Sequence, residues 1–95
     1  DLVRITFSSD DARLTSSGLI VGRNFDNCDL YIQDGSVSRK HARFYSLNGR
    51  IFIEDLGSTN GVAINGRAIN KNASAEVPPQ GDLTIGGVEL TIGKY

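Results

Sequence analysis

His41-Ala42-Arg43-Phe44-Tyr45-Ser46-Leu47-Asn48-Gly49-Arg50-Ile51-Phe52-Ile53-Glu54-Asp55-Leu56 is two runs of largely apolar, β-branched and aromatic residues set back to back across Asn48-Gly49. Asn-Gly is the pair a two-residue type I′ turn demands, because both central positions need positive φ. The stretch predicts a β-hairpin, residues 41–47 facing residues 50–56, at the centre of the chain.

Outward from the hairpin the same grammar repeats. Leu2–Phe7 alternates apolar and polar at period two, residues 18–22 are a short apolar run bounded by glycines, and residues 29–32 read as a third strand. Downstream, Asn65-Gly66 sets Val62–Ile64 against residues 67–69, and Gly86-Gly87 sets Leu83–Ile85 against residues 88–92. No stretch of a dozen residues keeps the spacing of an amphipathic helix, and nothing repeats at a fixed period. The expectation is an all-β, two-sheet sandwich. Residues 70–81, with Asn72, Ser74, Pro78 and Pro79, are expected to form the longest and most mobile loop.

Ninety-five residues suffice for one hydrophobic core without disulfide staples and are too few for two, so residues 1–95 are read as a single domain. The sequence has no Met, including at position 1, which suggests a module excised from a longer protein. A formal charge of -1 argues against a general nucleic-acid binder, which would carry a strong basic excess. Any positive potential must be local. Cys28, the single cysteine, cannot form an internal disulfide and favours a reducing compartment. No apolar run approaches membrane-spanning length and no signal peptide opens the chain, so direct membrane contact is not expected.

Three segments carry chemistry: Gly22-Arg23, Ser38-Arg39-Lys40-His41, and Asp55-Leu56-Gly57-Ser58-Thr59-Asn60-Gly61. Each sits where a strand gives way to a turn. A guanidinium fork suits a tetrahedral dianion, and the hydroxyls of Ser38 and Thr59 can each donate a hydrogen to a phosphate oxygen. Asn60 offers an amide able to pair with a peptide main chain, and Gly61 a backbone able to take positive φ. Lys40 fits a solvated rim position, where a charge raises association rate more than affinity. A metal site finds no support, because zinc wants several Cys or His ligands and the chain has one of each. No cofactor is expected either, since no Gly-x-x-x-x-Gly-Lys precedes a helix. Serines, His41 and Asp55 are the residue types of a hydrolase, but there is no Gly-x-Ser-x-Gly elbow and little room for a substrate cleft. An enzyme is not expected. Asn72-Ala73-Ser74 matches a glycosylation acceptor, a short and frequent pattern that is set aside.

These three segments, in this order and followed by Asn65-Gly66, resemble the signature of a forkhead-associated (FHA) domain across the central half of the chain. The resemblance implies a sandwich of about eleven mostly antiparallel strands with binding loops at one end. It implies a non-catalytic signalling module for phosphothreonine-containing peptides or proteins, working in the cytoplasm. By that likeness Arg23, Ser38, Arg39 and Thr59 hold the phosphate and Asn60 the peptide backbone, while Gly22, His41, Gly57 and Gly61 form the scaffold. The position two before the serine, which helps read residues downstream of the phosphothreonine in the family, is Ser36, short and uncharged; a charged preference is not implied. A phosphorylated segment of the parent protein is one candidate partner. The alternative is a domain of this fold that binds proteins without phosphate, which could afford to lose Arg23, Ser38 or Thr59.

Overall fold

The computed structural model describes residues 2–7, 10–78 and 81–94, with side chains described at 10–78 and 81–91. Ten strands appear among these residues: β1 (Leu2–Phe7), β2 (Leu19–Gly22), β3 (Leu30–Tyr31), β4 (Ala42–Leu47), β5 (Arg50–Asp55), β6 (Val62–Ile64), β7 (Arg67–Ala68), β8 (Ser74–Glu76), β9 (Leu83–Ile85) and β10 (Val88–Lys94). They form two five-stranded sheets, ordered β1-β10-β9-β6-β7 and β3-β2-β4-β5-β8. Only β1 with β10 and β2 with β3 pair in parallel among the described residues.

The central hairpin forms as expected. β4 and β5 pair from Ala42 opposite Asp55 to Leu47 opposite Arg50, and Asn48 and Gly49 take φ of 53° and 77°. Period-two alternation then sorts the side chains. Ala42, Phe44, Ile51 and Ile53 turn inward and are buried. On the opposite face Arg43 meets Glu54 at 2.9 Å, and Tyr45 stacks on Phe52 with centroids 5.3 Å apart. Leu19 and Val21 of β2 extend this inner face, and Val62, Leu83, Ile85, Val88 and Leu90 of the other sheet close over it. Full burial of each large aliphatic side chain is worth about 1.5–3 kcal/mol, so this shared interior is what holds the two sheets together.

Two of the differences from the sequence reading bear on the core and the sheet edge. Residues 70–81 are not wholly loop: Ser74–Glu76 form β8, paired with Phe52–Glu54 of β5. The strand is polar and short because it is a sheet edge; β5 supplies its partner, and buried Val77, whose N–H donates to Ile51 O at 2.8 Å, pins its end. The remainder of the expected loop includes Pro79 and Gln80, which lie outside the described residues. The second difference is a short 3-10 helix at Ala12–Thr15, capped by the Asp11 carboxylate, which inserts Leu14 into the core. One apolar residue in a polar stretch has no period to betray it.

Register dictates where the loops collect. Val21 opposes Ala42 and Ala42 opposes Asp55, so β2 ends, β4 begins and β5 ends side by side. Val62 opposes Ile85, which brings the start of β6 to the end of β9, and the Gly86 N–H donates to Gly61 O to extend that pairing by one bond within the sheet. All three motif segments therefore emerge at one end of the sandwich.

Candidate functional site

Gly22 is the last residue of β2, and close approach explains its identity: a Cβ there would run into the carbonyl of Arg39. With no side chain in the way, the 22–24 backbone lies flat on the 38–39 turn. The Arg23 N–H donates to Ser38 O at 3.0 Å and the Asn24 N–H to Arg39 O at 3.2 Å. Arg23 itself is exposed, and its Nε–H donates to Val37 O at 2.9 Å. That bond uses the inner edge of the guanidinium and leaves the two terminal nitrogens as the donor fork. Arg13, Arg43 and Arg50 pair with carboxylates, whereas Arg23, Arg39 and Lys40 have no ion pair among the described residues.

Ser38 stands between two other motif residues. Its hydroxyl accepts from the Thr59 N–H at 3.1 Å and so keeps its own hydrogen to donate elsewhere. Its backbone N–H donates to His41 Nδ1 at 3.0 Å. His41 is fully buried, and its Nε2–H donates to Gly61 O at 2.7 Å. One nitrogen accepts and the other donates, so the ring is the neutral Nε2–H tautomer. Burial pushes its pKa below the ordinary 6.5, although the Gly61 carbonyl and the Asp55 carboxylate oppose that shift. With both ring nitrogens spent on backbone groups, His41 has no base to offer a serine. The residue types of a hydrolase are present without its geometry.

The 57–61 turn is built by two residues the sequence reading left unassigned. Asp55 is fully buried and its Oδ1 accepts from the Ser58 N–H at 2.8 Å; Ser58, also buried, accepts from the Gly61 N–H through its hydroxyl at 3.0 Å. The spacing Asp-x-x-Ser-x-x-Gly was the available signal, since side chains of this kind satisfy backbone donors a few residues on. Asp55 Oδ2 is buried with no hydrogen-bond partner among the described residues. Gly57 and Gly61 have φ of 79° and 83°; at Gly61 no atom lies within 4 Å of where a Cβ would stand, so left-handed backbone alone selects glycine there.

Two expected roles look different in place. Asn60 does not hold its whole amide outward: its Nδ2 donates to Ser36 O at 2.9 Å, which clamps the 57–61 turn to the 34–37 turn. Ser36 is likewise committed, donating its hydroxyl to Asp34 at 2.6 Å and accepting from the Gly87 N–H at 2.8 Å. Arg23, Ser38 and Thr59 thus share one tip, Arg39 and Lys40 are exposed on the turn beside them, and the floor beneath is His41, Asp55, Ser58 and Ser36.

Comparison with known proteins agrees with this architecture. Residues 19–86 match the FHA domain family. Over 79 residues the chain is 34% identical to an FHA domain-containing protein of Arabidopsis thaliana, covering 83% of this chain and 19% of that protein. The FHA domain of a Chlamydia trachomatis protein superposes with a TM-score of 0.68 at 31% identity, covering 77% of this chain and 71% of that one. An N-terminal FHA domain from S. cerevisiae, solved in complex with a phosphothreonine peptide, gives 0.64 at 28% identity, covering 72% and 55%. The chain spans about a fifth of the length of the plant relative. A two-sheet sandwich whose Gly-Arg, Ser-x-x-His and Thr-Asn-Gly segments meet at one tip, matched over most of its length, makes this chain a member of the FHA domain family.

Proposed function

We propose that this domain binds phosphothreonine-containing peptides or proteins through its tip loops, as a non-catalytic signalling module of a longer cytoplasmic protein. The observation that carries the reading is the state of Arg23: positioned by Val37 O through Nε, turned to solvent, and without an acidic partner among the described residues. A phosphate monoester would meet its terminal fork, the remaining hydrogen of Ser38, the hydroxyl of Thr59 and the charge of Arg39. Asn60 keeps its carbonyl oxygen for a peptide N–H, since its nitrogen is engaged by Ser36. Gly22, His41, Gly57 and Gly61 act beneath, by fixing where those donors stand.

An unpaired arginine beside two hydroxyls is superfluous for a phosphate-independent scaffold, which speaks for the phosphopeptide reading over its rival. Partners would be Thr-phosphorylated proteins, the parent chain among them, and neither nucleic acid nor membrane is needed to explain the tip. The test is calorimetric titration with phosphothreonine peptides drawn from an oriented library, against the same peptides unphosphorylated. Removal of the phosphate should weaken binding at least about a hundredfold, roughly 2.8 kcal/mol; equal affinities would refute the proposal.

A further inference from the structure

Phe25 is 72% exposed and Tyr31 42% exposed, and their rings meet edge to face with centroids 5.3 Å apart. Leu47, the other large apolar residue exposed among those described, stands alone beside the Asn48-Gly49 turn, at the opposite end of the β4–β5 hairpin. A single exposed leucine needs no explanation, whereas a paired aromatic patch invites one. Phe25 is not there by slackness. It opens a 3-10 turn, Phe25–Asn27, whose start is capped by Asn24 Oδ1 accepting from the Asp26 N–H at 3.1 Å. Asn24 N–H and Cys28 Sγ both donate to Arg39 O, fastening this turn to the rim at both ends.

Both rings adjoin Arg23 by independent routes. Phe25 follows it by two residues, at most about 7 Å of chain. Tyr31 stands directly opposite Gly22 across the β2–β3 pairing, one strand spacing of about 4.8 Å away. An extended peptide advances about 3.3 Å per residue, so a side chain one or two residues from a phosphothreonine held at Arg23 falls within reach of the pair.

We infer that Phe25 and Tyr31 form an apolar subsite that selects an aliphatic or aromatic side chain one or two residues from the phosphothreonine, an inference that rests on the phosphopeptide reading above. The occupant is apolar because the surface on offer is two exposed, contacting aromatic rings, whose gain on binding comes from burying apolar area. The patch is continuous with the anion site through the Asn24–Arg39 contact, so the same ligand that fills one can cover the other.

The experiment uses phosphothreonine peptides with serine at every flanking position, and variants with Leu, Phe or Arg placed singly at the four positions within two residues of the phosphothreonine. Leu or Phe should bind about fivefold or more tighter than Ser at one position, the share expected from partly burying such a side chain. Phe25→Ser should abolish that gain while changing the Ser-flanked peptide less than twofold, and Phe25→Leu should retain most of it. No gain at any position, a gain that survives Phe25→Ser combined with Tyr31→Ser, or a preference for Arg would overturn the subsite. Failure of the Ser-flanked phosphopeptide to bind at all, by contrast, would overturn the phosphopeptide reading itself.

Discussion

The buried ring of His41 joins two loops that are distant in sequence: its Nε2–H donates to Gly61 O at 2.7 Å while its Nδ1 accepts from Ser38 N–H. A second ring proton would destroy that acceptor and place a charge in the interior. Because the unfolded chain takes up the proton near pH 6.5 and the folded one only at lower pH, His41 stabilises the fold fully above 6.5 and progressively less below it. Each pH unit below that point should remove up to about 1.4 kcal/mol until the folded state also protonates. Urea midpoints at pH 7.5 and 5.5 test this. A smaller decline for His41→Gln would assign it to the ring, and no decline in the native protein would refute it.

His41→Ala leaves a cavity, strips the Ser38 N–H of its acceptor and leaves the Gly61 carbonyl with the Gly86 N–H alone. The combined loss should be about 2–4 kcal/mol, or a fall in Tm of at least about 8 °C. Phosphopeptide affinity should suffer second, through loosened loops. An unchanged melting temperature would count against the scaffold role.

Arg23→Ala is expected to weaken phosphopeptide binding by about a hundredfold or more with little change in Tm, since the side chain is exposed. Arg23→Lys should recover only part, because an ammonium cannot hold Val37 O and present a two-pronged fork together. Near-native affinity of the alanine variant by calorimetry would remove Arg23 from the site.

Two glycines should fail for different reasons. Gly22→Ala forces the 38–39 backbone away and should cost about 1–3 kcal/mol by overpacking, with a larger loss of affinity because Ser38 and Arg39 move with it. Gly61→Ala meets no atom and should cost only the left-handed backbone, about 1–2 kcal/mol. Chemical denaturation distinguishes them, and equal tolerance at position 22 would mean that the turn can yield.

Ser36→Ala should lower stability by about 1–3 kcal/mol, because Gly87 N–H loses its acceptor and Asp34 a donor. If Ser36 instead read the peptide, the change would appear in the sequence preference of a phosphopeptide library with stability untouched.

The central hairpin was legible because Asn48-Gly49 and the alternation on either side of it are local properties: turn chemistry and side-chain period need no knowledge of the rest of the chain. The chemical types in the motif segments were legible for a related reason, since guanidinium, hydroxyl and amide groups declare their chemistry wherever they stand. β8 was not, because a polar edge strand exists only where β5 offers unpaired backbone to it. The 3-10 helix bearing Leu14 escaped too, its one buried residue being set by the space between the sheets.

What the amino-acid order determined by itself was the set of strands, their turns and the chemical types at the strand ends. Only the tertiary structure decided which of those types face solvent and which are consumed inside. By sequence Arg23 is expected at the phosphate and Asn60 at the peptide backbone, yet Arg23 keeps its terminal fork turned to solvent while Asn60 spends its nitrogen on Ser36. Asp55 and Ser58, left without a role in the sequence reading, lie buried beneath the turn. The reason is that a hydrogen bond across loops depends on where two separate segments come to rest. Strand register and the packing of one sheet on the other set that position, and neither is a property of the residues taken one at a time.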